Sequence, residues 1–437
     1  MNNPKVLFLS YSLNRSDHRG VFQFTNSLIK GVSKNNYEIG LFTQIYQSSL
    51  SSDSLSDILH YLKDPRGFFV KEKNKARIIM SYFLGKLYTR SFSTFTNKID
   101  INDYNAVEDF NFFVNQELLY YTNNIDLIFS KSVYLRNIDL SDFSKTDIIF
   151  TDSPLAFKSN RHKMIQTVHD TIPLDEKRKY YQYFYKRLEA CCYADKILAV
   201  SNHSKNKFLE YFPQMHDRVQ VVYQPLPADE NSIYLSSLPE IQQQVLDKYN
   251  LKSGQYMYYV GAVEKRKNIH NLVRAYAQAT YSDKSIPLVI SGSIDEEYKK
   301  EFLLENYLVN HRHFSHSKFN ILKTDFVSDI EKLCLIRNSR AFLFPSLNEG
   351  FGIPIIEAQT LGVPVLTSNN SSLPEVTEGS ALMLQNPLDV EEIAECIKRL
   401  WTDNELCENL SGKGLINIKR FSKENFKKGI GDFLADI

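Results

Sequence analysis

The chain has 437 residues, more than a single hydrophobic core usually serves, so two domains are expected. Its 52 basic and 51 acidic residues give a net charge of +1, which supplies no global reason to expect a nucleic-acid partner. The five cysteines are odd in number and show no metal-ligand spacing, which favours a reducing, cytoplasmic environment.

The N-terminus runs directly into a short apolar segment that is too brief for a secretory signal peptide. No apolar run in the sequence reaches the roughly 18 to 20 residues of a membrane span. Any membrane contact is therefore expected to be peripheral, at the inner face of the plasma membrane.

Short apolar runs alternate with helical patterns along the chain, which predicts parallel sheets covered by helices. Strands of a first domain are predicted at residues 5–10, 37–42, 125–129, 147–150, 163–168, 197–200 and 219–222. The proline-rich polar segment 224–232 is predicted to link this domain to a second one. Strands of the second domain are predicted at residues 256–260, 288–291, 319–322, 341–344, 363–366 and 381–384. The predicted fold class is α/β, with two Rossmann-like, doubly wound domains that face a cleft.

A basic, aromatic stretch lies in the first domain. Residues 63–90 hold eight basic and two acidic residues, interleaved with phenylalanine and tyrosine. Such a stretch could lie on an anionic membrane or hold a lipid-diphosphate acceptor. A pair of helices with a solvated basic face explains the composition equally well.

Two polar residues follow predicted strands of the first domain. His169 comes directly after the strand at 163–168, where an imidazole can hydrogen-bond a sugar hydroxyl in either protonation state. On its own such a histidine is more often structural. Asp170 is expected either to hold the imidazole or to cap the following turn. Ser201 follows the strand at 197–200 and is expected to be a helix N-cap, with a contact to a sugar donor as the alternative.

In the second domain, the basic pair Arg266 and Lys267 lies in the loop after the strand at 256–260. Preorganised cations stabilise the negative charge of a departing diphosphate, so these residues are candidates for that role. An isolated pair of this kind is more often a solvated loop charge.

The segment from Ser346 to Ala358 places two carboxylates, Glu349 and Glu357, eight residues apart around a glycine-rich loop that opens a helix. The N–H groups and partial positive charge of a helix N-terminus can hold a diphosphate. Charged carboxylates can accept hydrogen bonds from pairs of sugar hydroxyls. The alternative is that Glu349 is a helix-start charge and Glu357 a solvated one.

This segment resembles the E-x7-E motif of the retaining glycosyltransferases of family four, which adopt the GT-B fold. Residues 259–268 resemble that family's strand, glycine and R-K-N segment, and residues 358–366 and 371–376 match it in order and spacing. The similarity covers roughly residues 160 to 430. The sequence from His169 to Pro173 resembles the H-D-x-x-P branch, which contains mannosyltransferases of bacterial O-polysaccharide assembly.

The resemblance implies a domain organisation. Residues 1–228 would form an N-terminal acceptor-binding domain, and residues 229–415 a C-terminal nucleotide-sugar-binding domain. A C-terminal helix over residues 416–437 would cross back to the N-terminal domain.

The resemblance also implies roles for residues that match the family's motifs. Lys267 corresponds to the phosphate-binding lysine, Arg266 to its companion, and Glu349 is assigned to binding and orienting the donor sugar. The predicted catalytic residues are His169, Glu349, Arg266 and Lys267. The predicted donor-binding residues are Gly20, Ser201, Gly261, Phe326, Val327, Gly350, Phe351, Gly352, Ile353 and Glu357. Gly20 is expected in the loop between the first predicted strand and the first helix. Ala262 departs from the arginine of many family members, so phosphate binding is expected to rest more on Arg266 and Lys267.

The sequence contains no Asp-x-Asp triplet, which argues against a divalent cation as the partner of the diphosphate. No cofactor is predicted, and cationic side chains and helix N-termini are expected to neutralise the diphosphate without metal. Retention of the anomeric configuration could use a carboxylate nucleophile in a double displacement. The family is usually described by a same-face internal return, in which the leaving phosphate assists deprotonation of the acceptor. The sequence leaves both routes open.

The predicted activity is transfer of a hexose, in first place mannose from GDP-mannose, to a surface polysaccharide or lipid-linked glycan. Transfer of rhamnose or glucose from another nucleoside diphosphate is the alternative within the same class. A GT-B-like scaffold that binds nucleotide sugar without turnover is disfavoured by the complete set of motif residues. A dinucleotide oxidoreductase is disfavoured because no G-x-G-x-x-G follows a predicted strand.

Overall fold

The computed structural model describes thirteen stretches of the chain. They are residues 4–10, 19–43, 94–95, 112–115, 136–137, 147–155, 157–177, 181–228, 230–280, 286–293, 309–310, 320–324 and 326–437. The chain divides into two compact units. Unit 1 comprises Met1–Pro225 and Lys423–Ile437, and unit 2 comprises Leu226–Ser422. The predicted strand at 125–129 and the basic stretch at 63–90 lie outside the described residues.

Unit 1 is built on a largely parallel sheet. The strands of the unit are β1 (Lys5–Leu9), β2 (Glu38–Thr43), β3 (Thr94–Phe95), β4 (Phe112–Asn115), β5 (Arg136–Asn137), β6 (Ile148–Thr151), β7 (Phe157–Lys158), β8 (Lys163–Val168), β9 (Lys196–Ala199) and β10 (Val219–Val221). Within the described part of the chain the order is β10-β9-β8-β6-β1-β2-β4-β3, and β3 runs antiparallel to β4. The pair β5-β7 forms a separate parallel ribbon.

Continuous apolar runs form the central strands of this sheet. Four of the five residues of β1 and five of the six residues of β8 are buried. Strands of this kind need cover on both faces, which explains why they alternate with helices along the chain. The helices are α1 (Arg19–Ser33), α2 (Ile172–Asp175), α3 (Tyr181–Ala190) and α4 (Asn202–Tyr211).

Unit 2 is a second Rossmann-like domain. Its strands are β11 (Met257–Val260), β12 (Leu288–Ser291), β13 (Val309–Asn310), β14 (Ile321–Thr324), β15 (Ala341–Phe344), β16 (Val365–Ser368) and β17 (Leu382–Leu384). Their order among the described residues is β13-β14-β12-β11-β15-β16-β17, and each described pairing is parallel. The central neighbours β11 and β15 therefore end at the same edge of the sheet. Ligands of such sheets bind beyond this edge.

Two helices precede the strands of unit 2, and the others alternate with them or follow them. They are α5 (Glu230–Leu235), α6 (Pro239–Tyr249), α7 (Ile269–Ala279), α8 (Asp329–Arg337), α9 (Ile353–Thr360), α10 (Leu373–Thr377), α11 (Val390–Thr402) and α12 (Asn404–Asn417). The last helix of the chain, α13 (Lys423–Ala435), belongs to unit 1. It packs on α1, where Phe24 and Phe426 meet edge to face with ring centroids 6.1 Å apart. Asn35 Nδ2 also donates to the carbonyl of Lys427 at 3.1 Å.

The unit boundaries follow Pro225 and Ser422, whereas the boundaries predicted from the sequence follow residues 228 and 415. The second boundary lies later because α12 runs through position 415 and stays in unit 2. Asn417, at its end, donates from Nδ2 to Gln359 Oε1 and to the carbonyl of Val376, both at 2.8 Å. The predicted linker at 224–232 is also too long, because Glu230 begins α5.

Two predicted strands of unit 2 are displaced toward the C-terminus. Residues 319–322 were predicted, but β14 spans Ile321–Thr324, because Asn320 has a left-handed φ of 52° that precedes extended backbone. Residues 363–366 were predicted, but β16 spans Val365–Ser368, since Pro364 has no N–H for the ladder. The other predicted strands that fall on described residues match the observed ones or differ from them by one residue at one or both ends.

Candidate active site

The loop after β11 turns sharply because of two glycines. Gly261 has a φ of 151° and Gly292, after the neighbouring strand β12, has a φ of 132°. A Cβ on Gly292 would lie 2.1 Å from the carbonyl oxygen of Gly261, so only glycine fits there. The chain then forms a short 3-10 turn over Lys265–Lys267 and enters α7 through Asn268, which has a φ of 60°. This turn places Arg266 and Lys267 beside the loop that follows β15.

The loop after β15 is held by serine hydroxyls. Ser371 Oγ accepts from the N–H of Glu349 at 3.1 Å. Ser372 Oγ contacts the carbonyls of Glu349 and Phe351 at 2.9 and 2.8 Å. Gly352, with a φ of 116°, and the proline in the first turn then begin α9. The backbone of Glu349 is therefore fixed independently of its side chain.

The two loops are joined by backbone and by charge. The N–H of Leu347 donates to the carbonyl of Arg266 at 2.7 Å. Lys267 Nζ lies 2.5 Å from Glu349 Oε1, and Arg266 Nη1 lies 3.1 Å from Glu349 Oε2. A second arginine nitrogen, Nη2, lies 2.8 Å from Glu264 Oε1. We call Glu349, Lys267 and Arg266 the charge cluster.

Two members of the charge cluster are buried, Glu349 at 7% and Lys267 at 9% exposed, and the side chain of Arg266 is 18% exposed. Burial raises the pKa of the Glu349 carboxyl, but the attraction of Lys267 and Arg266 outweighs it and holds that pKa below 4.5. Burial lowers the pKa of the Lys267 ammonium from 10.5 against the attraction of Glu349. The reading of Glu349 as an ordinary helix-start charge is therefore wrong, because its carboxylate is ionised, buried and paired with two cations.

The charge cluster is suited to binding an anion, and its carboxylate is poorly placed for nucleophilic attack. Each oxygen of Glu349 accepts from a cation, which leaves the carboxylate poorly placed as a nucleophile. An ammonium has three N–H donors and a guanidinium has five, so Lys267 and Arg266 can hold an additional anion without releasing Glu349. At the start of α9, the N–H groups of Gly352 and Ile353 make no hydrogen bond to another described residue. These donors can bind an anion as well.

The second carboxylate of the motif is buried too. Glu357 lies on α9 and is 2% exposed, so its reading as a solvated charge is wrong. Its Oε1 lies 2.7 Å from Nζ of Lys332, in the first turns of α8. Lys332 is not among the site residues predicted from the sequence. The available signal was a lysine close to the start of a helix, where the helix dipole disfavours a positive charge.

Among the other predicted donor-binding residues of unit 2, exposure differs widely. Phe326, ahead of α8, is 69% exposed, whereas its neighbour Val327 is buried. Phe351 is buried with its ring edge against Phe421, at 5.6 Å between centroids. Its side chain therefore belongs to the core, which leaves the backbone as its means of contacting a donor. Gly350 lies between Glu349 and Phe351 in the same loop.

Unit 1 places His169 directly after β8. Its Nε2 lies 2.8 Å from the carbonyl of Asp152, and since a carbonyl can only accept, Nε2 carries the hydrogen. Burial lowers the pKa of His169 from 6.5, opposed by the Asp152 carbonyl and by the charges of Asp152 and Asp170. The imidazole is thus neutral at pH 7, with Nδ1 as a hydrogen-bond acceptor. Asp170 caps the next turn, because its Oδ1 accepts from the N–H of Ile172 at 3.0 Å.

The other predicted site residues of unit 1 are Ser201 and Gly20, and both lie at the start of a helix. Ser201 is fully buried and is the N-cap of α4, where its Oγ accepts from the N–H of Ser204 at 3.0 Å. Ser204 Oγ in turn donates to the carbonyl of His169 at 2.6 Å, which connects these two sites. Gly20 was predicted in a loop, but it lies in the first turn of α1, because that helix begins at Arg19. The donor contacts of Ser201 and Gly20 stay predictions.

Two properties of the described residues concern metal binding and membrane spanning. In that part of the chain, no three histidine, cysteine, aspartate or glutamate side chains are grouped as metal ligands. None of the helices described is both long and apolar enough to cross a bilayer.

Comparison with known proteins identifies relatives. Residues 242–415 match the family model for glycosyl transferases group 1. The chain is 32% identical over 269 residues to the O-antigen chain mannosyltransferase B of Escherichia coli, covering 60% of this chain and 68% of that protein. It is 30% identical over 270 residues to the serotype-specific mannosyltransferase WbdA of Escherichia coli, covering 60% of this chain. The match spans 32% of WbdA, so the chain covers about a third of that relative.

Solved structures with the same fold include Anabaena Alr3699/HepE in complex with UDP-glucose. That structure has a TM-score of 0.62 at 14% identity, with 99% of this chain and 100% of that chain covered. An α,α-trehalose-phosphate synthase from Burkholderia xenovorans has a TM-score of 0.64 at 9% identity, with 99% of each chain covered. At such low identity these similarities show the fold alone, which is the GT-B fold predicted from the sequence.

Proposed function

Because the chain belongs to the group 1 glycosyltransferases, we propose that it transfers mannose from GDP-mannose, with retention, to a surface polysaccharide or lipid-linked glycan. The observation that carries the proposal is the buried charge cluster beside the start of α9. Two relatives named as O-antigen or serotype-specific mannosyltransferases support mannose as the donor sugar.

The charge cluster suits a nucleoside diphosphate as the leaving group. As the bond from the anomeric carbon to the phosphate oxygen breaks, negative charge grows on the diphosphate. Lys267, Arg266 and the N–H groups of Gly352 and Ile353 are fixed donors that stabilise this charge where it develops. The proposal needs no metal ion.

The two carboxylates of the motif have separate roles in this proposal. Glu349 orients the donor sugar, with its own geometry set by two cations and two serines. Glu357 accepts hydrogen bonds from the ribose hydroxyls of the nucleotide. Because both oxygens of Glu349 are engaged, we favour internal return. In that route the acceptor oxygen bonds to the anomeric carbon on the face that the phosphate leaves, and a phosphate oxygen takes the acceptor's proton.

A panel of nucleotide sugars tests the proposal. GDP-mannose, UDP-glucose and dTDP-rhamnose are each incubated with the protein and a lipid-linked glycan acceptor, and sugar transfer and donor hydrolysis are measured. Turnover of GDP-mannose with an α-linked product is expected. Turnover of another donor alone would assign a different sugar, and binding without any turnover would assign a nucleotide-sugar-binding scaffold.

The acceptor and membrane contact extend the proposal to residues 63–90. A lipid-linked acceptor would bring the protein to an anionic membrane, which the basic composition of this stretch favours. Reversing several of its charges should reduce sedimentation with anionic liposomes at low salt and leave nucleotide binding unchanged. If the unmodified protein ignores such liposomes, the stretch is a solvated basic surface.

A further inference from the structure

Lys332 and Glu357 form a buried ion pair between two helices of unit 2. The distance from Nζ to Oε1 is 2.7 Å, and the side chains are 12% and 3% exposed. Nζ also lies 3.4 Å from Asp329 Oδ1, one turn earlier on α8. Lys332 thus joins the start of α8 to the helix that carries the E-x7-E motif.

The position is unfavourable for a lysine on local grounds. Ser328 caps α8 and forms a capping box with Glu331, so Lys332 is the next residue into the helix. The dipole of a helix disfavours positive charge near its N-terminus, and burial removes the ammonium from water. Burial lowers the pKa of Lys332, but the attraction of Glu357 and Asp329 outweighs it and raises that pKa above 10.5. Residues that break local rules in this way concentrate at functional sites.

Glu357 keeps an acceptor available in this arrangement. Lys332 bonds to Oε1, whereas Oε2 makes no hydrogen bond to another residue that the structure describes. A buried carboxylate is costly unless it is paired and hydrogen-bonded. Lys332 supplies that pairing for Glu357 and holds its carboxylate in one orientation.

We propose that Lys332 is a positioning residue that sets the recognition of the nucleotide ribose through Glu357. The ligand class is a nucleoside diphosphate with both ribose hydroxyls. This inference rests on the proposed function, because it takes Glu357 as the ribose contact. Lys332 itself need not touch the ligand.

The test compares ribose with deoxyribose. The nucleoside diphosphate that binds best among GDP, UDP and ADP is titrated by calorimetry, together with its 2′-deoxy and 3′-deoxy forms. The affinity ratio between ribo and deoxy forms is the measured quantity. For charge-assisted hydrogen bonds to the hydroxyls, a ratio of about tenfold or more is expected for the unmodified protein.

Five variants separate positioning from general stability, and Glu357→Gln among them is the reference for loss of the ribose contact. Lys332→Met should bring the ratio close to one, and Lys332→Arg should restore part of it. Lys248→Met is the matched control. Lys248 lies on α6, and its Nζ is 2.5 Å from Oε1 of Glu331, the neighbour of Lys332 on α8. The substitution therefore removes another ion pair of α8 and leaves Glu357 unchanged. It should keep the ratio of the unmodified protein. Lys332→Gln removes the charge but keeps an N–H donor toward Glu357, so it remains informative if Lys332→Met fails to fold, and it should lower the ratio.

The outcomes distinguish this inference from the proposed function. A ratio near one in both Lys332→Met and Glu357→Gln, with part of it restored in Lys332→Arg and the full ratio in Lys248→Met, supports the inference. A full ratio in Lys332→Met with a reduced ratio in Glu357→Gln overturns the role of Lys332 and leaves the proposed function standing. Failure of the unmodified protein to bind any nucleoside diphosphate overturns the proposed function itself.

Discussion

The charge cluster of unit 2 and the surroundings of His169 in unit 1 differ in how they hold polar groups. In unit 2, Glu349 is held by two cations and Glu357 by a third. In unit 1, the imidazole of His169 bonds to a carbonyl, and the buried Asp152 accepts from the hydroxyls of Ser10 and Thr25.

The difference indicates that charge should control the function of the unit 2 site, and hydrogen-bond direction that of the unit 1 site. Ion pairs respond to pH and to the loss of a charge, because an unpaired buried charge is costly. A neutral imidazole in a fixed tautomer responds to the loss of an acceptor or donor. Substitutions that preserve shape but change charge should therefore affect unit 2 most, and substitutions that change hydrogen-bond direction should affect unit 1 most.

The largest effect is expected for Glu349→Gln. Turnover should fall by about 100- to 1,000-fold, since a fixed electrostatic contact to the transferred sugar is lost. Affinity for free nucleoside diphosphate should stay equal or rise, because Lys267 and Arg266 no longer share their charge with a carboxylate. Paired kinetics and calorimetry measure both quantities.

The control for this variant is Glu264→Gln, which removes a different partner of Arg266 at 2.8 Å. It should change turnover far less. A loss of nucleotide affinity in Glu349→Gln as large as the loss of turnover would mean that this carboxylate does not orient the sugar.

Lys267→Met should weaken nucleotide binding. Affinity for nucleoside diphosphate should fall by about 10- to 100-fold, which corresponds to losing a charge-assisted hydrogen bond. Lys265→Met is the control, since Lys265 is exposed in the same 3-10 turn. If the two variants bind nucleotide equally well, the charge cluster is not the diphosphate site.

The pH dependence of nucleotide binding should reveal the deprotonation of Lys267. Lys267 holds an anion only while protonated, so affinity is full below its lowered pKa and is lost as the pH rises through that pKa, which lies below 10.5. Lys267→Arg should extend the plateau to higher pH, because a guanidinium does not deprotonate. Calorimetry across an alkaline pH series provides the measurement, and coincident profiles for both proteins would assign the loss to another group.

In unit 1, His169→Gln tests the tautomer. Glutamine can donate to the Asp152 carbonyl but lacks the acceptor at Nδ1, so turnover should fall by roughly tenfold for one lost hydrogen bond. His169→Asn offers an acceptor near the Nδ1 position and should retain more turnover. His216→Gln, at an exposed histidine, is the control. Equal turnover in the Gln and Asn variants would leave the acceptor at Nδ1 without a role.

The smallest effect is expected from chelation. Because lysine, arginine and backbone N–H groups are proposed to neutralise the diphosphate, EDTA should leave nucleotide affinity unchanged. Calorimetry with and without EDTA checks this, and a loss of binding on chelation would require a metal ion at the site.

Local signals in the sequence determined the elements that carry the charge cluster. The apolar run of β15, the glycine at 352 and the following proline fixed a strand, a turn and a helix start within a short segment, because each depends on neighbouring residues. The same holds for β11 and the turn that carries Arg266. The sequence also placed His169 at a strand end, where the structure has it.

The tertiary structure alone decided which side chains meet. The sheet order makes β11 and β15 neighbours, and this brings Lys267 to Glu349, 82 residues further along the chain. Lys332 meets Glu357 in the same way, across 25 residues and two helices. Periodicity along a chain specifies which face a residue occupies but not which distant element packs there. The ion pairs of both carboxylates, and the acceptor at Nδ1 of His169, therefore follow from packing between distant segments.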